Sequence, residues 1–324
     1  MAYQNVKNPR FYISWGDYWR SIGESIPPHN TIRPMETQSI TLEAGGYWYK
    51  FMDPHSYPPT DSAPKGINWY AVLNHNLTPG FDFIVKQYAN NGTNESFITY
   101  DKAININPGL GGFSLGTRSA AFTDMAQSDV DIQTGIGTTN DSPVEANITF
   151  QIGCMVYGKY FDMPHSPDMS LTLTHDYSGV KTIETIGGAS LSNAMWTKPS
   201  KWGDREAWQL GDFPYYYSGR RIWNLTWSFI TNKDIEPYCY YGNKYDGDVS
   251  EDGDDNFQSI LYYTNAGQLP FIFNPDSSIV YYNDGINPPR VPEFAICKFD
   301  MNSFSRKQQA PGLWEFSVKI KEVW

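Results

Sequence analysis

The sequence Trp314-Glu-Phe-Ser-Val-Lys-Ile-Lys321 lies close to the end of the chain and decides the fold class. Its apolar residues occupy every second position, which predicts an antiparallel β-strand with one buried face and one solvated face. Two apolar runs precede it, at Leu269–Phe273 and Glu293–Phe299, and neither alternates cleanly. Strands that are buried on both faces have this pattern, so we expect central strands of a core sheet with Trp324 packed against it.

The composition is typical of an all-β protein. Aromatic residues make up 16% of the chain, as expected for many short strands joined by turns, although aromatic surfaces also suit sugar binding or protein assembly. The formal net charge of −11 argues against a nucleic-acid-binding surface, because phosphate neutralisation needs clustered Lys and Arg. No apolar run approaches the roughly 18 residues of a membrane span, and the first residues lack a signal-peptide pattern, so we expect neither membrane insertion nor export by the general route.

Breaks in the pattern predict two domains, one inserted in the other. Residues 9–23 start extended and turn helical after Ser14, and prolines then interrupt the chain before strand patterns begin. These strand patterns continue as far as Gly158 and predict a β-sandwich. We therefore predict an inserted domain of residues 32–158 and a second β-sandwich, the core domain, of residues 1–31 and 159–324, with one or two short helices in all.

Three further patterns concern the second half of the chain. The runs 169–174 and 180–186 are separated by a turn and predict a hairpin. Asp254 and Asp255 precede a helical pattern that begins at Phe257, so we expect them to cap that helix. The segment 220–229 predicts a strand of the main sheet, and the residues on its apolar face are Trp223, Leu225, Trp227 and Phe229.

Residues 187–217 lack a clear period and are rich in aromatic side chains. Loops of this length are usually functional or interfacial. We therefore expect this stretch to contact other chains. The interface candidates are Trp196, Trp202, Trp208, Tyr215, Tyr216 and Tyr217.

The sequence selects no catalytic or metal-binding constellation. The five histidines form neither His-x-His nor His-Glu-x-x-His, and the chain has no nucleophile elbow or phosphate-binding loop. The acidic stretch 246–256 does not fit an EF-hand, because Ser259 stands where that loop needs a bidentate Glu. We interpret the stretch as a solvated, capping loop, and some other cation site is the alternative. We expect no enzyme activity, no metal and no cofactor. A glycoside hydrolase is nevertheless one alternative function, since its paired carboxylates need no fixed spacing in the sequence.

The segment 69–77, Trp-Tyr-Ala-Val-Leu-Asn-His-Asn-Leu, resembles the aliphatic strand and His-Asn-Leu signature of galactose-binding-like jelly rolls inserted into phage structural proteins. The resemblance implies that Asn74, His75 and Asn76 end a core strand and hold the backbone there. A ligand or catalytic role is the alternative for His75. Sugar binding does not follow from this fold alone.

Several blocks in one order resemble virion structural proteins of tailed phages, especially marine ones. The blocks are Tyr3–Ile13, Phe161–Leu173, Ser218–Trp223, Leu269–Phe273, Phe294–Asp300 and Lys319–Trp324. The closing block is similar to minor tail proteins of the distal-tail class. The resemblance implies a non-enzymatic tail or baseplate protein that forms a homo-oligomeric ring and contacts other virion proteins. It also implies a location in the virion tail after synthesis in the host bacterial cytoplasm.

Two alternative functions suit the same aromatic-rich, all-β composition. One is a carbohydrate-binding module for glycans of the host surface, and the other is a capsid decoration protein. Assembly predicts aromatic surfaces that are buried only in the oligomer, whereas sugar binding predicts one exposed aromatic cleft.

Overall fold

The fold is given by a computed structural model of the chain. The residues that it describes are 6–34, 36–46, 48–52, 69–76, 81–90, 95–98, 104–105, 113–117, 130–138, 143–177, 181–193, 201–202, 205–206, 219–236, 256–278 and 293–323. Strands dominate this part of the chain and the helices are short, so the predicted all-β class is confirmed. In the described residues, no helix is both long enough and apolar enough to cross a membrane.

The elements are numbered in chain order. The strands are β1 (Arg10–Ser14), β2 (Gln38–Leu42), β3 (Trp48–Met52), β4 (Trp69–His75), β5 (Phe81–Asn90), β6 (Glu95–Ile98), β7 (Ile104–Asn105), β8 (Phe113–Thr117), β9 (Val130–Thr138), β10 (Ile148–Asp162), β11 (Thr172–Asp176), β12 (Lys181–Glu184), β13 (Ser190–Asn193), β14 (Lys201–Trp202), β15 (Arg205–Glu206), β16 (Arg220–Thr231), β17 (Phe271–Asn274), β18 (Ala295–Phe299), β19 (Arg306–Ala310) and β20 (Leu313–Glu322). The helices are α1 (Trp15–Ser21), a 3-10 turn (Pro28–Asn30), α2 (Asn232–Ile235) and α3 (Phe257–Tyr263).

The chain divides into two compact units, and each unit takes more than one segment of the sequence. Unit 1 comprises Met1–Ile13, Tyr160–Ser200 and Tyr215–Trp324, whereas unit 2 comprises Ser14–Lys159 and Lys201–Pro214. This division differs from the predicted domains, because residues 14–31 and 201–214 were predicted to belong to the core domain and are grouped with unit 2.

Contacts of helix α1 explain why residues 14–31 belong to unit 2. The helix begins after Ser14, as predicted, and the Ser14 hydroxyl accepts a hydrogen bond from the Asp17 amide. A Cβ atom added at Gly16 would lie 1.8 Å from the Asn30 carbonyl oxygen, so only glycine allows this approach. The Asp17 carboxylate accepts a hydrogen bond from the Ile32 amide at 2.9 Å. The helix is therefore tied to the chain that follows it.

In unit 1 the strands form an antiparallel arrangement in the order β11-β16-β20-β18-β17-β1, and β19 also pairs with β20. The predicted alternation of β20 is confirmed, since Phe316, Val318 and Ile320 are buried and Ser317 between them is exposed. Every residue of β17 is buried, and β18 is almost as enclosed. These two strands are central strands, as their unbroken apolar sequences predicted.

The predicted hairpin between residues 169–174 and 180–186 is wrong. Strand β11 pairs with β16, from Thr172 opposite Asn224 to Asp176 opposite Arg220. Strand β12 instead pairs with β13. The reason is a contact made just before β11, where the Asp168 amide donates a hydrogen bond to the Thr226 carbonyl at 2.8 Å and so places the segment beside β16.

Aromatic side chains form the core of unit 1. The rings of Phe271 and Phe299 lie 4.8 Å apart, those of Phe11 and Phe271 5.6 Å apart, and those of Phe257 and Phe316 4.7 Å apart. Pairs at these separations contribute about 0.5–1.5 kcal/mol beyond the burial of their area. Strands distant in the sequence thus share one aromatic cluster.

Helix α3 delivers Phe257 to this core and begins at that residue, as predicted. Its N-cap, however, is Asn256, whose side-chain oxygen accepts a hydrogen bond from the Ser259 amide at 3.0 Å. Asp254 and Asp255, which the sequence analysis expected to cap the helix, lie outside the described residues. Asparagine at this position supplies the same acceptor without a charge.

A buried arginine joins three parts of unit 1. Arg221 on β16 is 1% exposed, and its Nε and Nη2 atoms donate to the two carboxylate oxygens of Glu322 at 3.0 and 2.7 Å. It also donates to the Phe294 carbonyl oxygen at 3.0 Å and forms an ion pair with Glu293. The Arg221 amide binds the Glu322 carboxylate as well. The guanidinium is therefore paired in the bidentate manner that offsets the desolvation of a buried charge.

In unit 2 the strands form two sheets. One contains β10, β4 and β8 in that order, with β2 also paired to β10. The other has the order β3-β9-β5-β6, with β7 paired to β5. The predicted alternation along β10 holds as far as Ile152, and from Cys154 to Tyr157 the side chains of both faces are buried.

Burial raises the pKa of the Asp17 carboxyl from 3.8 to about 6, although hydrogen bonds from Ser14 and Ile32 and the charges of Arg33 and Arg20 act in the opposite direction. The folded chain thus holds the Asp17 proton more tightly than the unfolded chain. The contribution of protonated Asp17 to the free energy of unfolding is fully present below pH 4, and it is lost as the pH rises through about 6.

Truncating the buried arginine, Arg221→Ala, should lower the free energy of unfolding by roughly 3–5 kcal/mol, because it leaves the Glu322 and Glu293 carboxylates without their cation. Denaturant titration of the full chain measures the loss. Lys319→Ala, at the solvated pair of Lys319 with Asp300 (2.5 Å apart), is the control and should change stability by less than about 1 kcal/mol. Equal losses in the two variants would contradict the role of Arg221.

Replacing the half-buried Asp17 by its neutral isostere, Asp17→Asn, should stabilise the protein increasingly as the pH rises. The difference in unfolding free energy between variant and wild type should grow by roughly 2.5 kcal/mol from pH 4 to pH 7.5, because the Asp17 pKa rises from 3.8 to about 6 on folding. Denaturant titrations at the two pH values measure this growth. A difference that stays constant with pH would show that Asp17 titrates normally.

Candidate functional site

Most of the predicted aromatic interface lies outside the described residues. This applies to Trp196, Trp208, Tyr215, Tyr216 and Tyr217. Within the stretch 187–217, which showed no clear period, the structure places β13 and the short pair of β14 and β15, where Trp202 is opposite Arg205. The assignment of these aromatic residues to an interface therefore stays a prediction.

The residues Asn74, His75 and Asn76 lie where β4 ends. Asn74 has a left-handed backbone (φ 53°), which asparagine tolerates, and its side-chain amide donates to the Pro34 carbonyl oxygen at 2.7 Å. The Asn76 side-chain oxygen accepts a hydrogen bond from the Gln151 amide at 2.7 Å. His75 is opposite Ile152 in the register of β4 and β10. Both asparagine side chains thus bind main-chain groups of unit 2.

The remaining predicted structural residues are tryptophans. Trp223 and Trp227 on β16 are buried, and the Trp227 indole N–H donates to the His165 carbonyl oxygen at 3.1 Å. This bond satisfies the polar atom of an otherwise apolar side chain. Trp324 lies outside the described residues.

Unit 2 contains a small cleft of about 90 Å³. Its lining residues are Pro28, His29, Arg33, Glu36, Gln38 and Gly153. Pockets for small organic ligands usually measure about 300–1,000 Å³, so this cleft is too small for a sugar of ordinary size. Water or a single ion fits its dimensions better.

Two cysteines are buried thiols. Burial raises the pKa of Cys154 and of Cys297, and the Glu322 carboxylate raises the pKa of Cys297 further. Thiols of this kind stay protonated and are poor nucleophiles. Across the described ranges, no group of three or more His, Cys, Asp or Glu side chains could hold a metal ion.

Exposed apolar side chains are the clearest surface feature of unit 1. They are Met169, Tyr177, Ile183, Ile186, Leu191, Phe229 and Tyr262, and all are at least 46% exposed. Ile183, Ile186 and Leu191 belong to one hairpin. Met169 and Phe229 each follow one of two residues, Asp168 and Ser228, that are hydrogen-bonded at a bulge in β16.

The sequence analysis placed Phe229 on the buried face of β16 with Trp223, Leu225 and Trp227, and the structure corrects this. Phe229 is 66% exposed, whereas Ile230 is buried. The register with β20 shifts between Trp227 and Ile230, so an additional residue enters the strand at this point. One inserted residue turns the following side chains to the other face.

The bulge forces Phe229 into a left-handed backbone conformation with φ 63°. A bulky residue in this region costs roughly 1–2 kcal/mol. The sequence gives only one sign of the bulge, which is that two apolar residues, Phe229 and Ile230, are adjacent. Either of them could continue the buried face of β16, and the pattern does not decide which one does.

Asp168 holds the bulge. Its carboxylate accepts hydrogen bonds from the Ser228 hydroxyl at 2.7 Å and from the Ser228 amide at 3.3 Å. The next residue, Met169, is fully exposed. The residues that follow this hydrogen-bonded pair in the sequence, Met169 and Phe229, are both exposed. We call these two residues the bulge patch.

Comparisons with known proteins supply no relative for this fold. No family model matches the chain, and no curated protein or solved structure matches it significantly. The functional argument therefore depends on the residues themselves.

Phe229→Gly should leave the protein as stable as the wild type or raise its free energy of unfolding by up to about 1 kcal/mol, because glycine adopts φ 63° without strain. Phe229→Ala keeps a Cβ atom and therefore the strain, so it is the matched control and should bring no gain. Thermal and denaturant unfolding measure both variants. A loss above about 1 kcal/mol in the glycine variant would show that Phe229 stabilises its own chain.

Proposed function

We propose that this protein is a non-enzymatic structural component of a tailed-phage virion, acting in the assembly of the tail or baseplate. Two kinds of observation support the proposal. The order of sequence blocks resembles virion structural proteins, and the all-β architecture suits such a role. The observation that carries it is the bulge patch, because an exposed and strained phenylalanine suits a contact with another protein.

The bulge patch has the chemistry of an interface anchor. Phenylalanine and methionine are enriched at the centres of protein interfaces, where they enter pockets of the partner. Phe229 lies between the half-buried Ser228, which Asp168 binds, and the buried Ile230, so its backbone is held in place. A rigid apolar side chain loses little conformational entropy on binding.

The strain at Phe229 also favours a role in association. Strained backbone conformations persist where the surrounding structure holds them, and they cluster at functional positions. Here Asp168 holds the strained turn through Ser228, and the strain leaves an aromatic side chain in solvent instead of in the core. A neighbouring tail protein that covers Phe229 and Met169 would recover the free energy of burying both side chains.

The test uses phages that carry single substitutions in this protein. Phe229→Ser should lower its incorporation into particles several-fold, because the interface loses its apolar anchor. Tyr262→Ser is the matched control, since Tyr262 is also 66% exposed but lies on helix α3. Quantitative mass spectrometry of purified virions measures incorporation. The unfolding midpoints of both purified variants should equal that of the wild type.

Two results would contradict the proposal. The first is that the wild-type protein is absent from purified virions. The second is that the purified protein binds or cleaves host polysaccharide tightly and specifically, which would favour a sugar-directed function.

A further inference from the structure

The strands β12 and β13 form a hairpin arm, residues 181–193, in unit 1. Ile183 is opposite Leu191 and Thr182 is opposite Ser192 in its register. Hydrogen bonds close the turn, where the Thr185 amide donates to the Ala189 carbonyl oxygen at 2.9 Å. The arm is thus a regular antiparallel pair.

Solvent surrounds the arm. Every residue from Lys181 to Ser192 is exposed. A hairpin of two strands is at best marginally stable in water, and three or more strands with an apolar face are needed for independent stability. The arm therefore has the form of half of a larger sheet.

One face of the arm is apolar. Ile183 and Leu191 share this face and are 65% and 60% exposed, and Ile186 in the turn is fully exposed. Thr182 and Ser192 form the opposite, polar face. A sheet that is covered on one side has an apolar covered face and a polar solvated face, and the arm shows the same difference between its two faces.

The two outer edges of the arm differ in charge. The β12 edge carries Lys181 and Glu184, and charged residues on an edge strand oppose pairing with another strand. The β13 edge, Ser190-Leu-Ser-Asn193, carries no charge. The β13 edge is therefore the one open to a further strand.

The distribution of charge along the chain indicates what kind of molecule pairs with the arm. The chain carries a net charge of −11, so two copies repel each other over most of their surfaces. The arm contains one Lys and one Glu and is neutral. A neutral, apolar segment on an acidic chain is where a second copy can approach without bringing carboxylates together.

We propose that the hairpin arm pairs with the arm of a second copy of this chain, β13 to β13 and antiparallel about a two-fold axis. The result is a four-stranded sheet shared by two chains. A two-fold axis through the centre of such a pair joins each residue to the equivalent position of the other copy. The pairing gives each arm the additional strands that it needs.

The apolar face selects the register of this pairing. If Leu191 is opposite Leu191 of the second copy, the four apolar side chains form one row across the sheet, in the order Ile183, Leu191, Leu191, Ile183. Neighbouring apolar side chains in such a row stabilise a sheet by about 0.2–1 kcal/mol per pair. In this register Ser192 is opposite Ser190 of the second copy.

Cysteine cross-linking tests the register in the full-length protein. Leu191→Cys should form a disulfide-linked dimer under mild oxidation, because directly opposite residues lie within the reach of a disulfide. Ser192→Cys is the matched control. Its two copies would lie about 8 Å apart, beyond that reach. Both variants also carry Cys239→Ser, so that the introduced cysteine is accompanied only by the buried Cys154 and Cys297.

Light scattering tests the association itself. The wild-type protein should have an even number of copies, Leu191→Lys should halve its molar mass, and Ser192→Lys should leave the mass unchanged. Cross-linking at Leu191→Cys but not at Ser192→Cys supports the pairing. Cross-linking at neither position or equally at both, a monomeric wild type, or an unchanged mass for Leu191→Lys overturns it.

The inference deepens the proposed assembly function and rests on it for its biological role, but its test is separate. Association through the arm in a protein that is absent from virions would contradict the proposed function and leave the pairing intact. If the protein is incorporated into virions but does not associate through the arm, the proposed function stands and the pairing is contradicted.

Discussion

The buried ion pair of Arg221 with Glu322 is the constraint on which unit 1 depends. It joins β16 to the last residue of β20, and the contact with the Phe294 carbonyl adds the chain just before β18. A charge that is 1% exposed is tolerated only when its donors are satisfied, so the three segments must meet in one arrangement. A shift of the strands by two residues would keep the apolar side chains on the buried face, but it would break this bidentate pair.

The surface of unit 1 follows from this register. With Ile222 opposite Lys321, β16 and β20 pair regularly as far as Trp227, and the additional residue must then appear between Trp227 and Ile230. The bulge turns Phe229 outward, and Asp168 holds it there from the segment before β11. The buried pair of Arg221 and Glu322 near the start of β16 thus determines that Phe229, near the end of the same strand, is exposed. The exposure of Phe229 in the bulge patch is therefore set by the pairing of β16 with β20.

Local patterns in the sequence predicted a large part of this structure. The alternation of β20, the enclosed strands β17 and β18, and the starts of α1 and α3 all follow from the spacing of apolar residues and from capping. The sequence predicted less well which strands pair with each other. Strand β11 pairs with β16 and not with β12, because the Asp168 contacts that position it involve residues about sixty positions away. Neither the arginine cluster nor the exposure of the hairpin arm has a local signature.

The sequence by itself determined the all-β class, the strands of the core and the acidic character of the chain, because these properties depend on neighbouring residues and on composition. Only the tertiary structure decided that Arg221 is buried with Glu322, a residue 101 positions away. It also decided that Phe229 is exposed and that the Asp17 carboxyl is enclosed. The physical reason is that burial, strand register and desolvation belong to pairs of distant segments. A periodic pattern shows which residues can share a face, but the contacts between segments decide which of those faces is covered.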